Sequence, residues 1–334
     1  MEIKELGEFG LIHRLTKDQP PHQPSTLKGV GDDCAVLSYP DRKVLVTTDM
    51  LMEGIHFDLT YTNMAQLGYK SAMVNLSDIF AMNGQPRQLL VSIALGKRFK
   101  VEDLDDFYRG LHAACDKWGV DVVGGDTCPS LTGLAISITC IGEAEEKDIV
   151  YRNGANETDL VCVSGDLGAA YMGLQLLEQE KNVYYEQLDK INAKIRKANS
   201  EGNKALVKHL QEEGMKLTNF QPDFAGKEYL IERQLKPEAR GDIIQLLHDN
   251  NIHPTAMMDI SDGLSSELIH ICKQSHCGCR IYEKSIPIDY QTAVAAEEFN
   301  MNVTTCAMNG GEDYELLFTC PIGDHDKLDA LESN

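Results

Sequence analysis

The chain has 334 residues, 43% of them hydrophobic, enough for about two domains with sizeable cores. Its 52 acidic against 31 basic side chains give a formal charge of -21, which argues against a nucleic-acid backbone or an anionic membrane as partner. No run reaches the ~18 apolar residues of a spanning helix, the start MEIKELGEFG has no apolar signal core, and the ten cysteines are scattered, mostly in apolar stretches, as expected for reduced thiols of a cytoplasmic protein.

In chain order, Leu11, Ile12 and Leu15 predict a helix over 6–16, and Pro20, Pro21 and Pro24 an irregular flap. GVGDD at 29–33 sets Asp32 and Asp33 before a short strand, CAVLSY. A β-branched strand, KVLVTTD, ends in Thr47, Thr48 and Asp49. His56 follows near the end of another short extended run. The pattern over 63–83 predicts a helix that stops near Gly84 and Pro86, with Asn75 and Asp78 on one face. Then come the strand QLLVSIAL, a helix over about 102–117 carrying Tyr108, and a strand VDVV that ends at GGDT. There Gly124 and Gly125 allow close backbone approach, and Asp126 and Thr127 supply oxygens. LAISITCIG closes this half.

The rhythm restarts near 150, which predicts two domains, 1–150 and 151–334. Arg152 sits in a loop before the strand LVCVSG, and Gly165-Asp166 opens a helix to about 179. Residues 180–220 mix acids and bases and read as an exposed helical excursion. A helix around 238–249 leads to MMDISDGL, where an apolar strand runs into a helix over 263–274. Ser261 is a candidate N-cap there, and the free N–H groups of such a turn favour anions. A strand RIYEK, a helix over 291–299 and GGEDYELLFT running into a strand complete the chain. Alternating strands and helices predict an α/β (α+β) class. Cys272, His276, Cys277 and Cys279 lie close together, but C-x-C without a second pair does not fit a usual zinc module.

The chain repeats one device: acids beside glycines or hydroxyls at GVGDD, TTD, NLSD, GGDT, DISDG and GGED. Each alone is ordinary turn chemistry. Together they predict loops converging on one acidic site, where carboxylates repel unless cations neutralise them. All-oxygen donors select Mg²⁺ or Mn²⁺ over zinc, and such loops present nucleotide phosphates for phosphoryl transfer. No G-x-x-x-x-G-K-[ST], G-x-G-x-x-G or protein-kinase motif is present, so an ATP enzyme here would use a rarer fold. A non-catalytic nucleotide- and metal-binding module is the reading from a different class.

The ordered set GDDCAV, TTDMLMEGIHF, YKSAMVNLSDIFAMNGQP, VGGDT, YRNGA, MDISDGL and GGEDYELLF resembles the thiamine-monophosphate kinase family over most of 1–320. Its superfamily includes aminoimidazole ribonucleotide synthetase, and another ATP-dependent member is the alternative within enzymes. The resemblance implies an N-terminal α/β domain that dimerises through a barrel-like sheet, and a C-terminal α/β sandwich. It implies Mg²⁺ ligands at Asp33 (with Asp32 a competitor), Thr47, Thr48, Asp49, Asp78, Asp126, Asp259 and Asp262. ATP contacts are implied at Tyr108, Gly125, Asp126, Arg152 and Ser261, and acceptor contacts at His56 and Glu312. Thiamine monophosphate and ATP would be the substrates of a cytoplasmic homodimer, with no general base required. The 180–220 stretch is longer than the family leads one to expect. Members also continue to an aromatic that packs on thiamine near the C-terminus, and this sequence reaches Asn334 without a counterpart.

Overall fold

The computed structural model describes residues 6, 11, 14–17, 20–28, 36–37, 43–217 and 222–332. Asp32, Asp33 and Ile12, which enter the expectations above, lie outside the described residues. Leu11 and residues 14–16 are helical, as their spacing predicts.

The first half is built on a four-stranded sheet. Its strands β3 (Lys43–Met52), β4 (Gln85–Leu95), β5 (Asp121–Pro129) and β6 (Ala135–Ala144) lie in the order β3-β6-β4-β5. β4 and β5 run parallel, and β6 is antiparallel to both β3 and β4. Two shorter strands, β1 (Thr26–Lys28) and β2 (Val36–Leu37), pair separately. The large sheet alternates in burial: Leu45 and Leu51, Ile136 and Ile138, Val91 and Ile93 point inward, while Val44, Val46, Met50 and Met52 of edge strand β3 are exposed. Among the described residues the sheet is open, without the closed barrel that the family resemblance implies.

Two helices cover the inward face. Helix α1 (Met64–Ala81) begins in a capping box: Asn63 Oδ1 accepts from Gln66 N–H, and the Gln66 side chain accepts from Asn63 N–H. Helix α2 (Val101–Trp118) carries Glu102 and Asp103 in its first turn and ends at Gly119, whose φ of 65° suits a left-handed cap. The helices touch backbone to backbone. A Cβ on Gly68 of α1 would come within 1.9 Å of the Phe107 carbonyl oxygen, and one on Gly110 of α2 within 1.8 Å of that of Ala65.

The second half carries a three-stranded antiparallel sheet of β7 (Leu160–Val163), β8 (Ala256–Asp259) and β9 (Leu316–Cys320), in the order β7-β9-β8. Around it lie α3 (Ala169–Ser200), α4 (Lys204–Lys216), α5 (Glu228–Leu235), α6 (Gly241–Asp249), α7 (Leu264–Ser275), α8 (Tyr290–Glu298), α9 (Val303–Asn309) and α10 (His325–Glu332). The main core is continuous across the halves: Met257, Leu316 and Phe318 belong to the same buried cluster as Ile79, Phe80 and Leu89.

The mixed α/β class expected from the sequence is what the chain forms. Five local expectations need correction. TTD does not end its strand: β3 continues to Met52, paired with β6 throughout. GGDT does not end a strand: β5 runs through it after a bulge opposite Leu89 and Leu90. His56 lies in a turn closed by a Glu53–Phe57 bridge, where Gly54 takes φ of 81°. RIYEK is no strand, since only Ile281 among residues 280–284 is partly buried and no sheet edge engages it; Glu283–Ser285 form a 3₁₀ turn instead. The helix expected from 165 to 179 starts at Ala169 and continues unbroken to Ser200, folding the charged excursion into α3 and α4.

A methyl at Gly110 has no room without parting α1 from α2. Gly110→Ala is therefore expected to cost about 1–3 kcal/mol, seen as a lower midpoint in denaturant unfolding; an unchanged midpoint would contradict the close contact.

Candidate active site

Three carboxylates from different elements meet beside α1. Asp78 lies near its C-terminal end, Asp49 on the inward side of β3, and Asp259 at the last residue of β8. Two carboxylates are held by a small hydroxyl, and the third residue by its backbone. Thr47 Oγ1 donates to Asp78 Oδ2 at 2.5 Å, and Ser77 Oγ donates to Asp259 Oδ2 at 2.6 Å. The fully buried Asn75 accepts from Asp49 N–H at 3.1 Å and donates to the Ser71 carbonyl. One stretch of helix, Asn75 to Asp78, thus reaches both sheets.

The acids share a field that none of them favours when ionised. Burial, then the Asp78 charge, pushes Asp49 up to about 6. Burial raises Asp259 to about 7, with Asp78, Asp49 and Glu267 adding to it and the Ser77 hydroxyl opposing. Burial also raises Asp78, against the Thr47 hydroxyl and the positive charge of Arg152. Arg152 is exposed yet acts on both Asp78 and Glu267, which places this cation over the edge of the cluster.

The DISDG turn sits alongside; the N-cap of α7 is Gly263, with no side-chain cap bond, so Ser261 does not cap the helix as expected. Asp262 is exposed, and its N–H donates to Glu267 Oε1 at 3.0 Å. Glu267 Oε2 is buried and has no hydrogen-bond partner among the described residues. The Ser261 carbonyl accepts from Glu312 N–H at 2.8 Å, tying GGED to DISD. A Cβ on Gly311 would come within 2.6 Å of that same carbonyl, so a glycine is needed for the approach.

GGEDYE divides its acids. Glu312 takes φ of 57° and Tyr314 φ of 53°. Glu312 meets Lys70 Nζ at 3.1 Å and Gln234 Nε2 at 2.7 Å. Asp313 accepts from the N–H groups of Gly168 and Ala170 at the start of α3, a capping role. Glu315 is buried between Arg233 and Arg240.

Glu312 also lines a cavity of about 220 Å³ together with His56, Asp58, Tyr61, Tyr171 and Glu178. Both Asp58 and Glu178 meet Lys181 of α3, and Tyr61 Oη donates to Glu178 Oε1 at 2.9 Å. His56 Nδ1 accepts from Met52 N–H at 3.0 Å, which fixes the ring with its other nitrogen free to donate.

Four predicted residues stand apart from this cluster. Thr48 turns to the outer face of the sheet, donating to the Ile138 carbonyl and accepting from Thr139. Asp126 is exposed on β5, at the sheet edge opposite β3 and so about 14 Å away by strand spacing. Gly125 beside it fits against β4 because a Cβ there would meet the Val91 carbonyl at 1.8 Å. Tyr108 is partly buried on α2, edge-on to Phe107 and next to His112. Lys70, Ser77, Gln234, Glu267, Asp58 and Tyr61 were not singled out by sequence reasoning. Of these, Lys70 and Ser77 carried a signal: polar residues at 70, 71, 75, 77 and 78 within an otherwise apolar helix.

No group of three or more His, Cys, Asp or Glu side chains among the described residues is close enough to hold one metal ion together. The donor chemistry nonetheless fits Mg²⁺, which keeps several waters and takes one or two protein carboxylates per ion. Crowded carboxylates pushed toward neutrality are the electrostatic counterpart of such ions.

The sheet, its two covering helices and the acidic loops define a class. Residues 31–144 match the family described as AIR synthase related protein, N-terminal domain. Hydrogenase maturation protein HypE, at 18% identity and a TM-score of 0.64, shares the fold. Within that class, the chain belongs to the thiamine-monophosphate kinase family. It is 34% identical over 321 residues to the Aquifex aeolicus thiamine-monophosphate kinase, covering 96% of this chain and 88% of that one. Identity to the Bacillus subtilis enzyme is 30%, over 94% and 83% of the two chains. A solved thiamine-monophosphate kinase from Stenotrophomonas maltophilia superposes with a TM-score of 0.75 at 28% identity, over 98% and 90%. A solved structure of AaThiL complexed with AMPPCP and TMP gives 0.67 at 33%, over 96% and 87%.

Acids whose pKa rises on folding support stability below their unfolded value and lose that support as pH climbs through the folded value. For Asp259 the window runs from the ordinary 3.8 to about 7. Asp259→Asn, which stays neutral, is expected to gain Tm relative to the parent protein across that window in EDTA, and Mg²⁺ to narrow the difference. A difference that is flat with pH in thermal melts would refute the shared-field account.

Proposed function

We propose that this chain transfers the γ-phosphate of ATP to thiamine monophosphate, forming thiamine diphosphate. The observation that carries this is the convergence of Asp49, Asp78 and Asp259 on α1, in a chain of the thiamine-monophosphate kinase family. The acceptor is a phosphate monoester with a second pKa of about 6, so it is largely dianionic at neutral pH and needs no general base. The protein's task is alignment and relief of repulsion between two phosphates. Arg152 and Ser261 would meet ATP phosphates beside the acids; Gly125, Asp126 and Tyr108, the other ATP contacts that the family resemblance implies, lie apart from them on β5 and α2. Asp49, Asp78, Asp259 and Asp262, with Thr47 and Asp33, are the residues that would hold Mg²⁺; Thr48, on the outer face of the sheet, and Asp126, at its far edge, stand apart from them. When bound, Mg²⁺ neutralises the acids and the phosphate oxygens they face.

The cavity by His56 and Glu312 suits the acceptor's other end. Its acids and the rings of Tyr61 and Tyr171 match a cationic aromatic heterocycle such as the thiazolium of thiamine. The exposed row Val44, Val46 and Met50 on β3, with Val46 64% and Met50 59% exposed, supports a homodimer in which two open sheets meet. We place the domain boundary near residue 150 and the enzyme in the cytoplasm. No described helix is long and apolar enough to cross a membrane.

The test is ATP consumption with Mg²⁺ on thiamine monophosphate, free thiamine and aminoimidazole ribonucleotide precursor, with thiamine diphosphate followed by chromatography. Product from the monophosphate alone, lost with EDTA, is the expected result. ATP binding without turnover on any acceptor would leave a binding module. For the assembly, Val46→Asp is expected to shift the species seen by light scattering from dimer to monomer; a parent protein that is already monomeric would end the dimer reading.

A further inference from the structure

Helix α7 runs from the DISDG turn to a group of thiols. Its last turn closes with His276 in the left-handed conformation (φ 55°) and Cys277 N–H donating to the Cys272 carbonyl at 3.1 Å. This is the hydrogen bond of a Schellman cap, a motif that brings the side chains at its two ends together. Cys272 and Cys277 occupy those ends. Cys279, like Cys277, is near enough to raise the pKa of the Cys272 thiol. All three line one mainly apolar cavity of about 450 Å³, with Leu268 and Ile271 on its wall. All three are free thiols; Cys279 is exposed, and Cys272 and Cys277 are partly buried.

We propose that Cys272, Cys277 and Cys279 form an oxidisable thiol site that a hydroperoxide converts to a Cys272–Cys279 disulfide. Exposed Cys279 is the first to react. Its sulfur attacks the O–O bond, which breaks; sulfur keeps one oxygen as sulfenic acid and the other leaves as an alcohol or water. The Cys272 sulfur then displaces that oxygen. The S–S bond forms, and the hydroxyl departs as water with the Cys272 proton. Two thiols lose two electrons, and one hydroperoxide gains them. Burial pushes Cys272 up to about 11, which suits a resolving thiol better than a first attacker.

The position joins this chemistry to the acidic site. Ser275, between the two cysteines, accepts from the N–H groups of Gly154 and Ala155, both at 3.1 Å, and donates to the Arg152 carbonyl at 3.3 Å. A disulfide closing around Ser275 acts on the segment that sets Arg152.

The full chain would be treated with hydrogen peroxide or tert-butyl hydroperoxide, alkylated, digested and mapped by mass spectrometry. The expected result is a linked Cys272–Cys279 peptide lighter by two hydrogens and reversed by dithiothreitol. Cys279→Ser is expected to abolish it and Cys272→Ser to leave a dimedone-reactive sulfenic acid at Cys279. All three thiols remaining alkylatable after peroxide, or the same loss of two hydrogens in both variants, would overturn the proposal. None of these readouts depends on kinase activity, so the site can fail while the proposed function stands, and the reverse.

Discussion

The structure turns on carboxylates placed where carboxylates least favour being ionised. Asp49, Asp78 and Asp259 come from a sheet edge, a helix and a strand of the second sheet, and they meet around one buried helix. A buried charge without compensation is costly. Among the described residues, part of that compensation comes from one hydroxyl each of Thr47 and Ser77, and from the cation Arg152 at the rim. A fully compensated cluster would be inert structural glue. Here burial and mutual repulsion push Asp49 and Asp259 toward neutrality instead.

Much of this was legible in the sequence where a residue's role is local. The strand–turn–helix at MMDISDGL, the Asn75–Asp78 face and the spans of α1, α2, α6, α7 and α8 follow from periodicity, and the structure reproduces them within a few residues. Ser77 shows as a polar residue in an apolar helix, but its task does not, because a serine in a helix usually answers its own backbone; its partner Asp259 lies 182 residues away. The tasks of Lys70 and Gln234 are not local either, since they matter only once GGED has been brought against α1 and α5. RIYEK misled because β propensity describes a half-buried surface, and its stretch has no sheet edge to complete. The separation of Asp126 from Asp49 depends on strand order, which a single sequence does not encode locally.

GGEDYE shows why acidic motifs resist a single interpretation. Positive φ at Glu312 and Tyr314 lets neighbouring side chains point to different tasks. Glu312 enters the cavity, Asp313 anchors the start of a 32-residue helix, and Glu315 is locked between two arginines. One hexapeptide thereby ties the wall of the cavity to the placement of α3, which lines it through Tyr171, Leu174, Glu178 and Lys181.

The glycine contact between α1 and α2 has a meaning beyond packing. Gly68 and Asn75 are seven residues apart, so they lie on the same side of α1 two turns from each other. A closely packed helix moves as a rod. Lifting it by an ångström at Gly68 would carry Asn75 away from the Asp49 N–H, and a bond of 3.1 Å does not survive such a stretch. The gauge that sets the spacing of the acids is therefore the thickness of two glycines, at the far end of the helix from the chemistry.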